Sequence, residues 1–464
     1  MNTTDESPSA ATRARRLLGL LVTGVALALT GGCHGDVLDR ELMVVMDRLA
    51  LAPLTRPAAP DHDLVRLGEA LFYDKELGGN RDVACATCHH PAEHSADGLS
   101  LSVGTGGEGL GSRRSLGVGR RLVARHASDL FNRGAREWTS MFWDGRVERI
   151  RPGSIESPAG TALPEGLSGV LAAQAMFPVT ARDEMRGAMG DSDVFGAPNE
   201  IAAIPDEDLR AIWDGLMRRL MHIDGYRELF AAAYPELLVG AAGFQHAANA
   251  IAAYEADAFW FADTPWDAYL AGDRTALTPE AKRGALIFFG RGRCATCHAG
   301  PLFTDLRFHN VGVPQLGPGK APLGRMDDGR ALVTGRDGDR CAFRTPSLRN
   351  VTLTGPWMHD GAYTDLDAAV RHMADPSLGF KGYDPGQLRP ALRGMLLPES
   401  EGKAILTTLD PVVAEGCGLV PGDIADLVAF LEALTDPAAA DLTHLVPERV
   451  PSGLPVDGVG LRRP

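Results

Sequence analysis

Two identical pentapeptides, Cys-Ala-Thr-Cys-His at 85–89 and again at 294–298, are the residues from which chemistry can first be read. Two thiols three positions apart on one helical turn can each add across a vinyl group of a haem. The histidine that follows is then placed to ligate the iron from one side. Zinc would want four protein ligands and usually a second cysteine pair in the same small unit, whereas these motifs lie 209 positions apart and each already ends in histidine. A thioredoxin-like redox pair is the other competing use. Two such motifs in one chain favour haem at both, attached through Cys85 and Cys88 and through Cys294 and Cys297, with His89 and His298 as proximal ligands. His90 would point about 100° away from His89 on a helix and cannot reach the same iron, so it reads as a surface or supporting residue. His94 is uncommitted.

A haem with one histidine needs its other face explained, because the sixth ligand decides between electron transfer and peroxide chemistry. The stretch TDLDAAVRHMA reads as a helix with Leu366, Val370 and Met373 on one face, so Met373 points inward. From the residues alone a core methionine is the plainer use. Opposite a histidine it would make a six-coordinate, relatively high-potential electron store.

The elements that must hold these motifs are mainly helical. Leu64, Leu67 and Leu71 share a face before the first motif, and Asp206 starts a stretch with Leu209, Trp213, Leu216 and Leu220 inward. Thr278-Pro279 opens another helix, Thr364 another, and Asp423 to Leu434 a last one. Strand alternation is scarce. A weak internal repeat links GEALFYDKELGGNRDVACATCH to GALIFFGRGRCATCH and suggests two related domains, divided near residue 270 where the chain turns polar. Long loops at 98–120 and 312–340, in a chain with 54 glycines and 31 prolines, are of the kind that line a site.

Arg13, Arg15 and Arg16 precede an apolar run from Leu17 to Leu29, then TGGC. The run is shorter than the roughly 20 residues that span a bilayer, so it reads as an export signal. Cys33 is either incidental or the lipidated N-terminus of a lipoprotein. In both cases the mature chain from 34 is expected outside the cytoplasm, in the periplasm or cell envelope. The net charge of −14 is spread rather than gathered and leaves no basic patch, which argues against nucleic acid and suits soluble, basic protein partners. Cys341 and Cys417 either pair or stay free; spacing does not decide.

Taken in order, LGEALFYDKEL…CATCH, MFWDGR, FPVTARDEM, LTPEAKRGALIFFGRGRCATCHAG and FRTPSLRNVTLTGPWMHDGAYTDLDAAVRHM resemble the bacterial di-haem cytochrome c peroxidases and their MauG-like relatives over nearly all of the mature length. The resemblance implies a mainly α protein of two cytochrome c-like haem domains with long irregular loops: a peroxidatic haem domain at 34–270 and an electron-transfer haem domain at 271–464. It makes Met373, 14 positions after His359, the second ligand of the His298 haem, with Met358 as runner-up. Trp143 matches the tryptophan between the haems. Glu184 matches the glutamate of the peroxide pocket, and Pro178 and Gln174 match other pocket positions, with SIESPAGTALPEGLSGV as an insertion on the way. A carboxylate near an open iron can take the proton from one peroxide oxygen and return it to the other.

Two departures matter. Many peroxidases of the family cap the first haem with a histidine 16 positions after the proximal one, and the same count from His89 gives Thr105, so an open first haem is expected. The family's calcium uses an asparagine where His126 stands, while Thr354 and Pro356 fit its two carbonyl ligands, so calcium is an expectation with an incomplete oxygen shell. The function this implies is reduction of hydrogen peroxide to water with electrons from a small donor protein, a cytochrome c or cupredoxin. A MauG-like oxidase acting on a protein side chain and a non-enzymatic di-haem carrier are the alternatives. Membrane attachment through Cys33 and a homodimer complete the expected partners.

Overall fold

A computed structural model describes residues 37–238, 241–320 and 325–458. The leader and Cys33 lie outside them. No helix among the described residues is long and apolar enough to cross a membrane.

Two helix crossings organise the chain, and they are built alike. The helix His62–Tyr73 is capped by Asp61, whose side chain accepts from the Asp63 and Leu64 amides, and it buries Leu67 and Leu71. It crosses the helix Phe244–Ala258 at Gly68, where a Cβ would stand 1.9 Å from the Ala250 carbonyl oxygen and 2.8 Å from Tyr254 Cβ. The helix Pro279–Phe289, capped by Thr278 on the Ala281 amide, crosses Pro421–Glu432 at Gly284. There a Cβ would stand 1.9 Å from the Asp426 carbonyl oxygen and 2.8 Å from Phe430 Cβ. Both glycines open the two halves of the repeat. The repeat therefore encodes one close helix contact, used twice, ahead of each Cys-Ala-Thr-Cys-His.

The remaining helices start near the expected positions. Leu209–Met221 begins behind Asp208, whose carboxylate accepts from the Ala211 amide, rather than behind Asp206. Leu366–Ala374 begins two residues after Thr364, with Asp365 as the cap residue, and Pro421–Glu432 two before Asp423. Among the described residues, strand is confined to two small antiparallel sheets, one of Ser140–Met141, Val147–Arg151 and Ser154–Glu156, the other of Phe308–His309 and Phe343–Arg344.

Among the described residues there are two large apolar cores and three smaller clusters. Leu67, Leu71, Phe72, Trp138, Trp213 and Ile251 belong to the first, Trp266, Phe288, Phe289, Phe430 and Leu434 to the second. Each is completed by the far end of the chain. Leu42, on a helix at 37–49, is buried in the second core, and Ala439, Leu442, Val446, Val450 and Val456 are buried in the first. Polar ties fix both arms. Asp39 accepts from Lys282 Nζ (2.7 Å) and Tyr269 Oη (2.7 Å), and Asp457 accepts from Lys75 Nζ (2.6 Å) and Thr87 Oγ1 (2.7 Å). The arms cross the line drawn at residue 270.

Candidate haem sites and the bridge between them

The first cysteine pair sits on a single helical turn, Cys85–Cys88, tightened by the Ala84 amide donating to Thr87 Oγ1 at 2.9 Å. The turn stops there. His89 is already the cap residue, at φ −120°, and His90 is extended, so the helical rotation expected between them does not apply. His90 is also fully buried rather than at the surface. Its Nδ1 accepts from the Ala92 amide, and its Nε2 lies 3.2 Å from the Asp457 carbonyl. His94 Nδ1 meets the Ala439 carbonyl at 3.2 Å. Both histidines thus anchor the C-terminal tail.

The two proximal candidates are held in the same way. His89 Nδ1 is 3.1 Å from the Ser95 carbonyl, and His298 Nδ1 is 3.0 Å from the Phe303 carbonyl. An Nδ1–H donated to a carbonyl leaves the lone pair on Nε2, the arrangement an iron-ligating imidazole requires. Burial pushes both rings toward the neutral form, which alone can ligate. The second pair sits on a 3-10 turn, Cys294–Thr296, entered through Arg293 at φ +55°.

Each motif opens into its own cavity. Cys85, Cys88 and His89 line one of about 1290 Å³, together with Gln174, Pro178, Glu184 and Trp143. Cys294, Cys297 and His298 line one of about 1560 Å³, together with Met358, His359, Met373 and again Trp143. Both volumes include space open to solvent. Gln174 comes from the short helix Val170–Ala175 and Glu184 from the π-turn Arg182–Arg186. Thr105 lies outside the first cavity. Its amide donates to the Glu184 carbonyl at 2.9 Å and its hydroxyl to Asp82 at 2.8 Å, so it steadies the turn that carries Glu184. Gly104 permits that approach, since a Cβ there would lie 2.3 Å from the Glu184 carbonyl oxygen.

Trp143 and Arg344 line both cavities. The Trp143 indole donates to the His126 carbonyl at 3.0 Å, and the His126 amide donates to the His359 carbonyl at 2.9 Å. Below them Arg125 grips Asp327 through two bonds, 2.7 and 2.9 Å, and Asp144 through a third at 2.7 Å. Burial alone would raise the Asp144 pKa, but Arg146 and Arg125 hold it far below the carboxylate range.

Several residues carry signals no spacing had given. The Arg344 guanidinium is buried and, among the described residues, donates to the carbonyls of Phe142 (3.1 Å) and Thr345 (3.5 Å); burial and Arg133 push its pKa down to about 9. His359 Nε2 is buried with no hydrogen-bond partner among the described residues, and burial lowers the ring to about 3. The Arg344 N–H donors beyond those two bonds, together with the partnerless His359 Nε2, fit haem, whose propionates are anionic acceptors. His126, Met141, Met185 and Glu255 also line the first cavity, and Cys341 and Cys417 the second. Both cysteines are free. Cys297, Asp305 and His309 bring ligand atoms within 4.8 Å of one another, but the two His309 nitrogens are held by Asp410 (2.6 Å) and Asp305 (3.0 Å). That leaves the ring no lone pair for a metal. The calcium expectation meets a similar obstacle. His126 Nδ1 is 2.8 Å from the Leu99 carbonyl, so position 126 brings no oxygen to the carbonyls of Thr354 and Pro356.

Residues 62–275 match the family model described as di-haem cytochrome c peroxidase. The methylamine utilization protein MauG of Methylorubrum extorquens is 31% identical over 396 residues, covering 85% of this chain and 84% of that one. The cytochrome-c peroxidase IdrP1 of Denitromonas iodatirespirans is 28% identical over 404 residues, covering 82% and 84%. Among solved structures, a MauG-like protein associated with microbial copper homeostasis superimposes with a TM-score of 0.56 at 24% identity, covering 84% of this chain and 94% of that one.

Proposed function

Because the chain belongs to the family of di-haem cytochrome c peroxidases and MauG-like oxidoreductases, whose members carry two c-type haems, we propose that it reduces hydrogen peroxide to water with electrons from a small donor protein. The observation that carries this reading is one tryptophan shared by two cavities, each built on its own Cys-Ala-Thr-Cys-His motif. Glu184, Gln174 and His89 line the first, His298, Met358 and Met373 the second, and Trp143 lines both.

Haem attached at each cysteine pair would supply the iron at which peroxide binds and through which electrons pass. Around it, each residue has a stated task. His89 and His298 offer Nε2 to iron while the Ser95 and Phe303 carbonyls hold their rings. Glu184 takes a proton from the near oxygen of peroxide and returns it to the departing one, and Gln174 orients the molecule by hydrogen bonding. Two electrons and two protons turn one peroxide into two waters. Met373, or Met358, would complete the ligands of the second iron, which suits a role as electron store. Trp143, its indole fixed on the His126 carbonyl, bridges the two centres. Calcium is given no step.

The domains at 34–270 and 271–464, the export of the chain and a lipid anchor at Cys33 belong to the same reading. Stopped-flow mixing of the reduced holoprotein with peroxide and reduced cytochrome c or cupredoxin tests it. Two donors oxidised per peroxide is the expected result, and no peroxide-dependent oxidation would overturn it. A second reading, oxidation of a protein side chain, is favoured by the 31% identity to a MauG and by Thr105 at the capping position. In that case peroxide would drive a covalent change in a partner protein and leave the donor largely reduced.

A further inference from the structure

Glu255 lies on the helix Phe244–Ala258, 4% exposed, and lines the first cavity beside Cys85 and Cys88. Among the described residues no hydrogen bond or ion pair holds its carboxyl, and Oε2 is fully buried without a partner. His89, Arg125, His126, Asp129, Arg146, Glu184, Lys320 and Arg344 line the same cavity, and burial with Arg146 and Arg125 lowers the Lys320 amine to about 8. The charge that acts on Glu255, however, is Arg133. Arg133 comes from the turn after Phe131, but it is engaged by the Asp129 carbonyl (3.0 Å), the Asp129 carboxylate (3.4 Å) and the face of Trp138 (4.2 Å). Cys85 comes from the attachment turn and is a neutral thioether once haem is joined. Tyr254 donates to the Tyr73 hydroxyl at 3.0 Å at the helix crossing and is kept protonated chiefly by burial, and Glu69 acts on it from the same crossing. Burial therefore dominates and pushes Glu255 up to about 8, against a weak opposing pull from Arg133.

An unpaired buried carboxyl destabilises the fold that holds it, and more so when charged. Nothing in the packing of the Phe244–Ala258 helix calls for a carboxyl here, and alanines occupy most of its buried positions. What faces Glu255 is the space that haem would fill.

We propose that Glu255 is the redox-linked proton site of the first haem: its carboxylate takes up one proton from solvent for each electron that enters the haem attached at Cys85 and Cys88, and releases it on reoxidation. The inference rests on the reading that haem occupies this cavity. The physical reason is charge balance. An added electron in a water-poor cavity raises the proton affinity of a nearby carboxylate, and by linkage a proton on the carboxylate favours reduction. Peroxide reduction consumes two protons with two electrons, so a site that loads a proton with an electron brings both to the same cavity.

Spectroelectrochemical titration of each haem in the holoprotein, between about pH 6 and about pH 10, tests it. The reduction equilibrium of the first haem is expected to shift against reduction by up to tenfold per pH unit, the one-electron equivalent of about 59 mV. Glu255→Gln should flatten that dependence, while the His298 haem titrates alike in both proteins. An equal slope in the variant, or a pH-independent first haem in the wild type, overturns the proposal. Should Glu255→Gln fail to fold, the reduced-minus-oxidised infrared spectrum of the wild type decides: a carboxylic acid band that appears on reduction and shifts in D2O supports the assignment, and its absence overturns it. Peptide mass measurement keeps the two claims apart, because a 85–89 peptide without haem removes the underlying reading, whereas haem present with a flat pH response removes only this inference.

Discussion

A group that must take a proton and hand it back within one reaction is best left without fixed partners. The Glu184 carboxylate makes no hydrogen bond or ion pair among the described residues, while its backbone is pinned by the Thr105 amide at 2.9 Å. Glu184→Gln is therefore expected to lower peroxide turnover by about 10²- to 10⁴-fold with haem content unchanged. Full turnover in the variant would end the acid–base assignment. His309 is the opposite case, a ring clamped on both sides. Asp305 first, then the Cys297 sulfur and Asp410, raise its pKa to about 11 against burial, and the two carboxylates remain once Cys297 is a thioether. A folded-state pKa above the unfolded value of about 6.5 gives stabilisation that is complete below that value and lost as pH rises through the folded one. Melting temperature should therefore fall between about pH 7 and about pH 10 in the wild type, and less steeply in Asp410→Asn; parallel curves would refute the clamp. At this scale the motif residues were legible because spacing of one to four positions is itself the chemistry. His90 and His94 were not, since their partners lie 367 and 345 positions away and no local pattern encodes such distances. Glu255 and Arg344 were hidden for a related reason: a missing partner has no sequence signature.

The helix pairs are where sequence and packing meet. Gly68 and Gly284 were visible as the first letters of a repeat, but the repeat did not say why glycine stands there. The crossing does, with a carbonyl oxygen 1.9 Å from each absent Cβ and an aromatic residue four positions after that carbonyl. Gly68→Ala and Gly284→Ala should each cost about 1–3 kcal/mol, or more where the backbone cannot shift, measured by denaturant unfolding. A neutral effect at either site would show that the crossing can open without loss. Helix starts were readable to within two residues because caps and first-turn prolines act locally, as at Thr278. Leu209–Met221 shows the limit, for Asp206 and Asp208 are both competent caps. The two resulting windows differ by less than a turn, and the Asp206 carboxylate is taken by Arg182 and Arg186. The small sheet at Ser140–Glu156 was less legible still, because its strands are two to five residues long and alternation needs more.

At the scale of the whole molecule the halves are tied by their ends. The tail from Ala439 to Val456 buries five apolar side chains in the first core and brings Asp457 to Lys75 and Thr87. Removing residues 439–464 should lower the melting temperature of the first haem's surroundings more than that of the second, as followed by the two haem absorption changes on heating. An equal loss at both would mean that the tail is general packing rather than a brace for one site.

Crossed ends also set an order of assembly. Thr87, inside the first attachment turn, receives its carboxylate partner from Asp457, 370 positions later, and His90 receives its carbonyl from the same residue. A chain made from its N-terminus exposes its first cysteine pair long before the strand of tail that will cover it exists. The first site is thus unlatched while its haem must be joined, and a stretch made 370 positions later is the one that shuts it.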